Sequence, residues 1–314
     1  MLIVTGGAGF IGSNLVRGLN EHGRDDVVVV DDLTDGHKYR NIVGCSIADY
    51  WDKTDLFDRL AGLSEPPEAV LHQGACAVTT EWDGRYMLAE NYQYSVDLFR
   101  YCASRDVPLI YASSAAIYGA STRFGEDDPS VERPLNVYGY SKLLFDRYVR
   151  RHRDDSPNQV VGLRYFNVYG PNEAHKGPMA SVVWHLSRQL EASGAVSLFE
   201  GSHGYGNGEQ RRDFIFVDDV VRVNLWFLGN RSVSGIFNVG TGASASFNDL
   251  ANAVIDYSGG GEVRYVPFPE KLEASYQSYT EADISALRSA GYDAPFSDLR
   301  EGVRKYLDAI KNDQ

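Results

Sequence analysis

The chain opens Leu2-Ile-Val-Thr-Gly-Gly-Ala-Gly-Phe-Ile-Gly12, and no other stretch restricts its fold as much. Leu2 to Thr5 is a short, mainly apolar run with three β-branched residues, the composition of a buried strand. Glycines stand at 6, 9 and 12, after which Phe10, Ile11, Leu15, Val16 and Leu19 recur at helical spacing. Strand, glycine turn and helix in that order aim free backbone N–H groups at a pyrophosphate. Each glycine omits a Cβ where the chain turns, nears a ligand or packs helix on strand. Val27-Val-Val-Val30 supplies a second strand ending in Asp31-Asp32, about 20 residues on, where a dinucleotide fold places an acid for the ribose. A bare glycine spacing is weak; its flanking elements make this one specific.

At 314 residues the chain suits one large α/β domain or two unequal lobes. A net charge of −13 and a pI near 5.0 argue against a broad surface for nucleic acid or anionic membrane. An anionic small ligand is compatible with that balance, because a few local cations suffice. No apolar run is long enough to span a bilayer, and the chain enters a strand at once, so we expect no signal peptide. Cys45, Cys76 and Cys102 cannot all pair and lack metal-ligand spacing; they suit a reducing cytoplasm, and no metal is expected.

Further along, Thr54–Leu63 reads as a short helix and Ala69–His72 as a third strand, running into the small residues Gln73-Gly74-Ala75-Cys76-Ala77. Tyr86–Ser104 reads as a helix, Pro108–Ser113 as a fourth strand, Asn136–Arg153 as a strong helix and Val160–Tyr165 as a fifth strand. Strands and helices alternating in this way predict right-handed βαβ crossovers, hence an α/β fold with a doubly wound parallel sheet of Rossmann type. Beyond about residue 170 the pattern loosens. A helix near 179–193 gives way to the glycine-rich stretch Ser202–Gln210; strands at 214–217 and 235–239 and helices near 219–229, 247–257 and 298–311 follow. We expect a dinucleotide-binding domain over 1–170, with segments such as 214–240 returning to it, and a smaller interleaved substrate lobe over 171–314. Ligands of such sheets sit at the carboxyl ends of the strands, which gathers Gly6–Gly12, Asp31, Gln73–Ala77, Ser113-Ser114 and Asn167 around one crevice.

Tyr138 and Lys142 stand four apart at the start of a predicted helix and share a face. A phenol titrates near pH 10, too high for a base at neutral pH; a nearby ammonium and the positive ring of an oxidised nicotinamide would both lower it. Ser114, at the end of the fourth strand, can donate to the same substrate oxygen. Tyr140 is only two residues from Lys142 and points elsewhere. Ser114, Tyr138 and Lys142 downstream of the glycine turn resemble the catalytic set of the extended short-chain dehydrogenase/reductase family, as does the GxxGxxG spacing of the turn itself.

Thr80-Glu-Trp-Asp-Gly84, Asn91-Tyr-Gln-Tyr-Ser95, Arg164-Tyr-Phe-Asn-Val-Tyr-Gly-Pro171, His175-Lys-Gly177, Phe199-Glu-Gly-Ser202, Arg212-Asp-Phe214, Asn238-Val-Gly-Thr-Gly242 and Pro267-Phe-Pro269 follow in order. Together they resemble the ADP-L-glycero-D-manno-heptose 6-epimerases, nucleotide-sugar enzymes that supply heptose for bacterial lipopolysaccharide, essentially from end to end. That resemblance implies that Gly6, Gly9, Phe10, Ile11 and Gly12 hold the pyrophosphate, and that Asp31, Asp32, Lys38 and Lys53 lie at the adenosine end. It places Gln73, Gly74, Ala75, Cys76, Ala77, Asn91, Lys142, Val168 and Lys176 along the dinucleotide. Ser114, Asn167, His185, Phe199, Glu200, Gly201, Ser202, Arg212 and Tyr276 would hold ADP-heptose. Lys176 would join Tyr138 as a second proton-handling group. The acid Asp31 favours NAD, Lys38, Arg40 and Lys53 could neutralise a 2′-phosphate, and the resemblance implies NADP and a homo-oligomer, a homopentamer. Pro178 stands where the pattern expects a serine, Gln73 where it expects an acid, and the loop from His203 to Gln210 is longer than usual. The alternatives are another nucleotide-sugar epimerase or dehydratase, such as a UDP-hexose 4-epimerase, and a non-catalytic dinucleotide sensor. Ala115-Ala116 beside the serine lack a dehydratase's acid pair, and an intact Ser114, Tyr138 and Lys142 disfavour the sensor.

Overall fold

The computed structural model describes residues 1–270 and 276–312. Two compact units interleave along the chain: the first takes residues 1–114, 136–164 and 220–237, and the second takes 115–135, 165–219 and the remainder from 238.

The first unit is built on a seven-stranded sheet. From β1 (Leu2–Thr5), β2 (Val27–Asp31) and β3 (Asp49–Asp52) extend to one side; β4 (Ala69–His72), β5 (Leu109–Ser114), β6 (Val160–Tyr165) and β7 (Gly235–Val239) extend to the other. β1 pairs in parallel with both neighbours, setting Thr5 opposite Val30 and opposite His72. The order therefore reverses at β1, and the chain leaves the carboxyl ends of β1, β2 and β4 at Gly6, Asp32 and Gln73. This is the switch point of a doubly wound sheet. Leu2, Val27, Val29, Ala69 and Leu71 are all fully buried, which is why these strands read as continuous apolar runs rather than alternating ones. α1 (Phe10–Glu21), α2 (Leu56–Gly62), α3 (Gly84–Leu88), α4 (Tyr94–Arg105) and α5 (Val137–His152) belong to the same unit. Ile3, Val28, Val70, Leu98, Leu109, Phe145 and Val160 share one of its cores.

Two local features depart from the sequence expectation. Asp49-Tyr-Trp-Asp52 is a strand, paired in parallel on the outside of β2, although only Trp51 is buried. Its charged ends suit an edge, where they discourage pairing with another chain. The helix expected over 86–104 is broken: five residues, Ala89–Gln93, form a π-helical turn between α3 and α4, with Asn91 buried inside it. Such turns insert a residue and frequently mark functional sites.

Among the described residues the second unit has no large sheet. Three two-stranded ladders carry it: 167–169 with 214–216 in parallel, 211–212 with 245–246 antiparallel, and 195–199 with 262–266 in parallel. α6 (Val182–Ser193), α7 (Val217–Gly229, shared with the first unit), α8 (Phe247–Ser258), α9 (Ser285–Ser289) and α10 (Leu299–Asn312) complete it. Ala115, Tyr118, Phe124, Val131, Phe166 and Ala282 form a core there. No described helix is long and apolar enough to cross a membrane.

Candidate active site

In the first unit the glycine turn has no room for side chains. Gly6 has φ +65°, and a Cβ on it would meet the Gly74 backbone at 2.6 Å; a Cβ on Gly12 would lie 2.0 Å from the Gly6 carbonyl oxygen. α1 starts at Phe10 with Gly9 as its N-cap and no side chain capping it, so its first amides face outward from a bare backbone. The turn and the uncapped helix end therefore fit the diphosphate of a dinucleotide.

The Asp31 carboxylate accepts from the Ala8 amide (2.8 Å) and the Asp32 amide (2.7 Å), and pairs with the Lys38 ammonium at 2.6 Å. Lys53 pairs with Asp32 (3.2 Å) and Glu90 (2.9 Å). Both expected cations are thus matched by carboxylates, while Arg40 is exposed. Across the turn, the Gln73 amide donates to the Thr5 carbonyl (3.0 Å). Asn91 holds the rest of this segment from the π-turn: its Oδ1 accepts from the Cys76 amide (2.7 Å), and its Nδ2 donates to the Cys76 carbonyl (2.9 Å) and to Ser141 Oγ (3.1 Å). Ser141 in turn donates to the Tyr138 carbonyl (2.7 Å), so Asn91 ties the 73–77 stretch to α5.

α5 begins with Asn136 as N-cap, its side chain accepting from the Gly139 amide. Two residues on, Tyr138 hydrogen-bonds Ser114 at the end of β5, and one turn further Lys142 Nζ donates to the Ala112 carbonyl at 2.9 Å. The three residues are brought together as the spacing predicts. The expected lowering of the tyrosine is not found: burial holds the Tyr138 phenol above its ordinary value, and only the Ser114 hydrogen bond works against it. Burial also pulls Lys142 down to about 8, with Asp146 opposing. The Lys142 ammonium does not offset the desolvation of the phenol, so a bound positive ring would be needed to bring Tyr138 within reach.

The second unit holds the residues expected at the sugar nucleotide. Arg212 is 6% exposed, its guanidinium lies over the Tyr276 ring (4.9 Å) and the Phe247 ring (5.6 Å), and it hydrogen-bonds Tyr276. Tyr276 and Phe199 each meet Phe268 edge-on, at 5.0 and 5.4 Å. Gln210, 1% exposed, donates to the Glu200 carbonyl (3.2 Å) and to Ser202 Oγ (3.1 Å), and Asn207 Oδ1 accepts from the Gly201 amide. The longer loop therefore folds back on Phe199–Ser202 and fixes it, and Arg212 and Tyr276 join that cluster. Sequence reading quoted Pro267-Phe-Pro269 and the loop ending at Gln210 but gave Phe268 and Gln210 no place in the site.

Asn167 and Val168 lie on the strand 167–169, with Asn167 Oδ1 accepting from Thr280 Oγ1 (3.3 Å). His185 is half-buried on α6. Pro178 is exposed beside Gly177, whose φ is +53°. Lys176 lies in a 3₁₀ segment, Ala174–Met179, with its ammonium 3.8 Å from the buried Glu173 carboxylate. Burial pushes its pKa down from the usual lysine value, with Glu173 opposing. That depression is what a lysine base requires, and nothing near Lys176 in the sequence announced it.

Residues 2–240 match the NAD dependent epimerase/dehydratase family. The chain is 62% identical to an ADP-L-glycero-D-manno-heptose-6-epimerase of Alkalilimnicola ehrlichii, over 99% of this chain and 97% of the relative. Among solved structures, the ADP-L-glycero-D-manno-heptose-6-epimerase of Helicobacter pylori superposes with a TM-score of 0.85 at 33% identity, covering 99% of this chain and 96% of that one. The UDP-glucose 4-epimerase of Thermus thermophilus, solved with NAD, gives a TM-score of 0.80 at 28% identity, covering 99% and 98%. With its glycine turn, its Ser114–Tyr138–Lys142 set and these matches, the chain belongs to the NAD dependent epimerase/dehydratase family.

Proposed function

We propose that this protein is an isomerase that inverts C6 of the heptose in ADP-D-glycero-D-manno-heptose, giving ADP-L-glycero-D-manno-heptose for lipopolysaccharide core synthesis. The observation that carries this reading is the 62% identity with the Alkalilimnicola ehrlichii 6-epimerase over 99% of the chain. The C6–H bond is flanked only by hydroxyl and alkyl groups and is not acidic enough for direct deprotonation. A bound nicotinamide dinucleotide supplies a hydride acceptor and donor instead, with no net redox change. Tyr138 takes the hydroxyl proton of one epimer as C6 becomes a carbonyl, and Ser114 donates to the same oxygen. Lys176 returns or removes the proton for the other epimer. Arg212 grips diphosphate oxygens, and the turn Phe199–Ser202 holds the rest of the ADP-sugar.

NADP is the cofactor this reading favours. Lys38 cancels the Asp31 charge at 2.6 Å, which weakens the repulsion that an acid at this position presents to a 2′-phosphate. The same reading makes the enzyme a cytoplasmic homo-oligomer. Incubation with ADP-D-glycero-D-manno-heptose, beside ADP-glucose and UDP-galactose, tests the substrate: turnover of the heptose alone is expected. In D2O the product should carry no deuterium at C6; incorporation there would falsify the hydride route.

A further inference from the structure

We propose that Glu173 is the positioning residue for Lys176: one buried carboxylate fixes the loop that carries the lysine and supplies the anion its ammonium faces. This rests on the reading of Lys176 as a proton-handling group. Glu173 is fully buried. Its Oε1 accepts from Ser181 Oγ (2.5 Å) and from the Tyr306 hydroxyl (2.8 Å), and its Oε2 accepts from the Ser181 amide (2.6 Å). Three donors replace the water a buried carboxylate has lost.

Those contacts close a loop. Ser181 is also the N-cap of α6, its oxygen accepting from the Trp184 amide, and Tyr306 belongs to α10. The carboxylate thus joins the loop's first residue to two helices of the same unit. Inside the loop the Lys176 amide donates to the Glu173 carbonyl (3.0 Å) and the Ala180 amide to Gly177 (3.1 Å). The ammonium lies 3.8 Å from Oε2, so the lysine is held beside its anion.

The charged and titratable groups facing this centre are Glu173 on Lys176 itself, Tyr306 from α10, and Arg188 from α6, which acts on Tyr306. Their signs give an asymmetric expectation. Removing the Glu173 charge removes what holds the Lys176 pKa up against burial. Removing the Tyr306 donor leaves the same charge less satisfied and more strongly attracted to the ammonium.

The test is an NMR titration of full-length protein labelled at lysine Cε, with the Lys176 resonance assigned by its loss in Lys176→Met. Glu173→Gln should lower the Lys176 pKa by about one pH unit or more and move the acidic limb of kcat in the same direction. Tyr306→Phe should raise it. Opposite signs from the two variants are something a merely structural role would not produce. An unchanged Lys176 titration in Glu173→Gln, or a fall in Tyr306→Phe, overturns the proposal. Should Glu173→Gln fail to fold, Ser181→Ala takes its place: it also releases one donor and must raise the pKa, and a fall or no change overturns the proposal equally. Near wild-type epimerisation by Lys176→Met would instead remove Lys176 from the chemistry, a separate result that the titration does not depend on.

Discussion

Lys142 is a residue whose burial costs the fold stability. It is 5% exposed, it gives one hydrogen bond to the Ala112 carbonyl, and burial pulls its pKa from 10.5 to about 8. Below pH 8 both folded and unfolded chains carry the proton, so the full penalty of burying an ammonium is present. Between pH 8 and 10.5 the folded amine has shed its proton while the unfolded one keeps it, and stability rises with pH. Lys142→Met keeps the stem, removes the charge and leaves Asp146 paired with Arg164 at 2.9 Å. Chemical denaturation at pH 7 should therefore find the variant more stable than wild type by about 2 kcal/mol, after allowing for the lost hydrogen bond. That gap should narrow toward pH 10, and activity should fall by roughly 100-fold or more because the phenol loses its neighbour. A variant less stable than wild type at pH 7 would mean that Lys142 is a structural cation. The spacing of Tyr138 and Lys142 was legible because it needs only helical geometry. The upward shift of Tyr138 was not, since burial depends on what packs around a residue and spacing is silent on that.

At the scale of elements, one buried chain of hydrogen bonds joins β1, β4 and the π-turn. The Thr5 oxygen accepts from the Gly74 amide (3.2 Å), so its hydroxyl donates to His72 Nδ1 (2.6 Å). Ser95 donates to the Asn91 carbonyl (2.7 Å), so its oxygen accepts from His72 Nε2 (2.9 Å). Every role then fits a neutral imidazole protonated on Nε2, and burial lowers the His72 pKa to about 3. The sign follows: below pH 6.5 the unfolded chain gains a proton that the folded His72 refuses, and stability falls. Between pH 7 and pH 5 this contributes a loss of about 2 kcal/mol. His72→Gln should be less stable at pH 7 yet lose less on acidification to pH 5, as read from denaturant midpoints. An equally steep loss in the variant would place the acid sensitivity elsewhere. The main strands and helices of the first unit were visible in the sequence because each buries a continuous apolar run or stripe. β3 was not, with two aspartates at its ends; of the second unit's ladder strands only that at 214–216 was, the others being two to five residues long and too short for a period to show.

For the whole molecule, the proposed function would divide the two ligands between the two units. The first unit offers backbone amides, Asp31 and Lys38; the second offers Arg212 between aromatic rings in a chain whose net charge is −13. With so acidic a background, an anionic sugar nucleotide needs a cation that no carboxylate has claimed. Arg212 is flanked by Tyr276 and Phe247, and its Nη1 donates to the Arg211 carbonyl (2.9 Å). Arg211, by contrast, is committed to the Ser244 carbonyl at 2.6 Å and to Ser244 Oγ at 3.2 Å. Substitutions should therefore dissociate. Arg212→Ala should raise the KM for the ADP-sugar about tenfold or more, from the loss of a charge-assisted bond, with a smaller effect on kcat. Its affinity for NADP should stay within a factor of about two, since the arginine reads the other ligand. Arg211→Ala should leave that KM near wild type, and serves as the control. Lys38→Ala should do the reverse: weaken NADP more than NAD in a fluorescence titration, because it frees the Asp31 charge against the 2′-phosphate, and leave the sugar-nucleotide KM in place. Equal losses for NADP and NAD would mean that Lys38 only braces the turn. An unchanged KM in Arg212→Ala would make its stacking between Tyr276 and Phe247 a packing contact, and the diphosphate would have to be sought at another cation of the second unit.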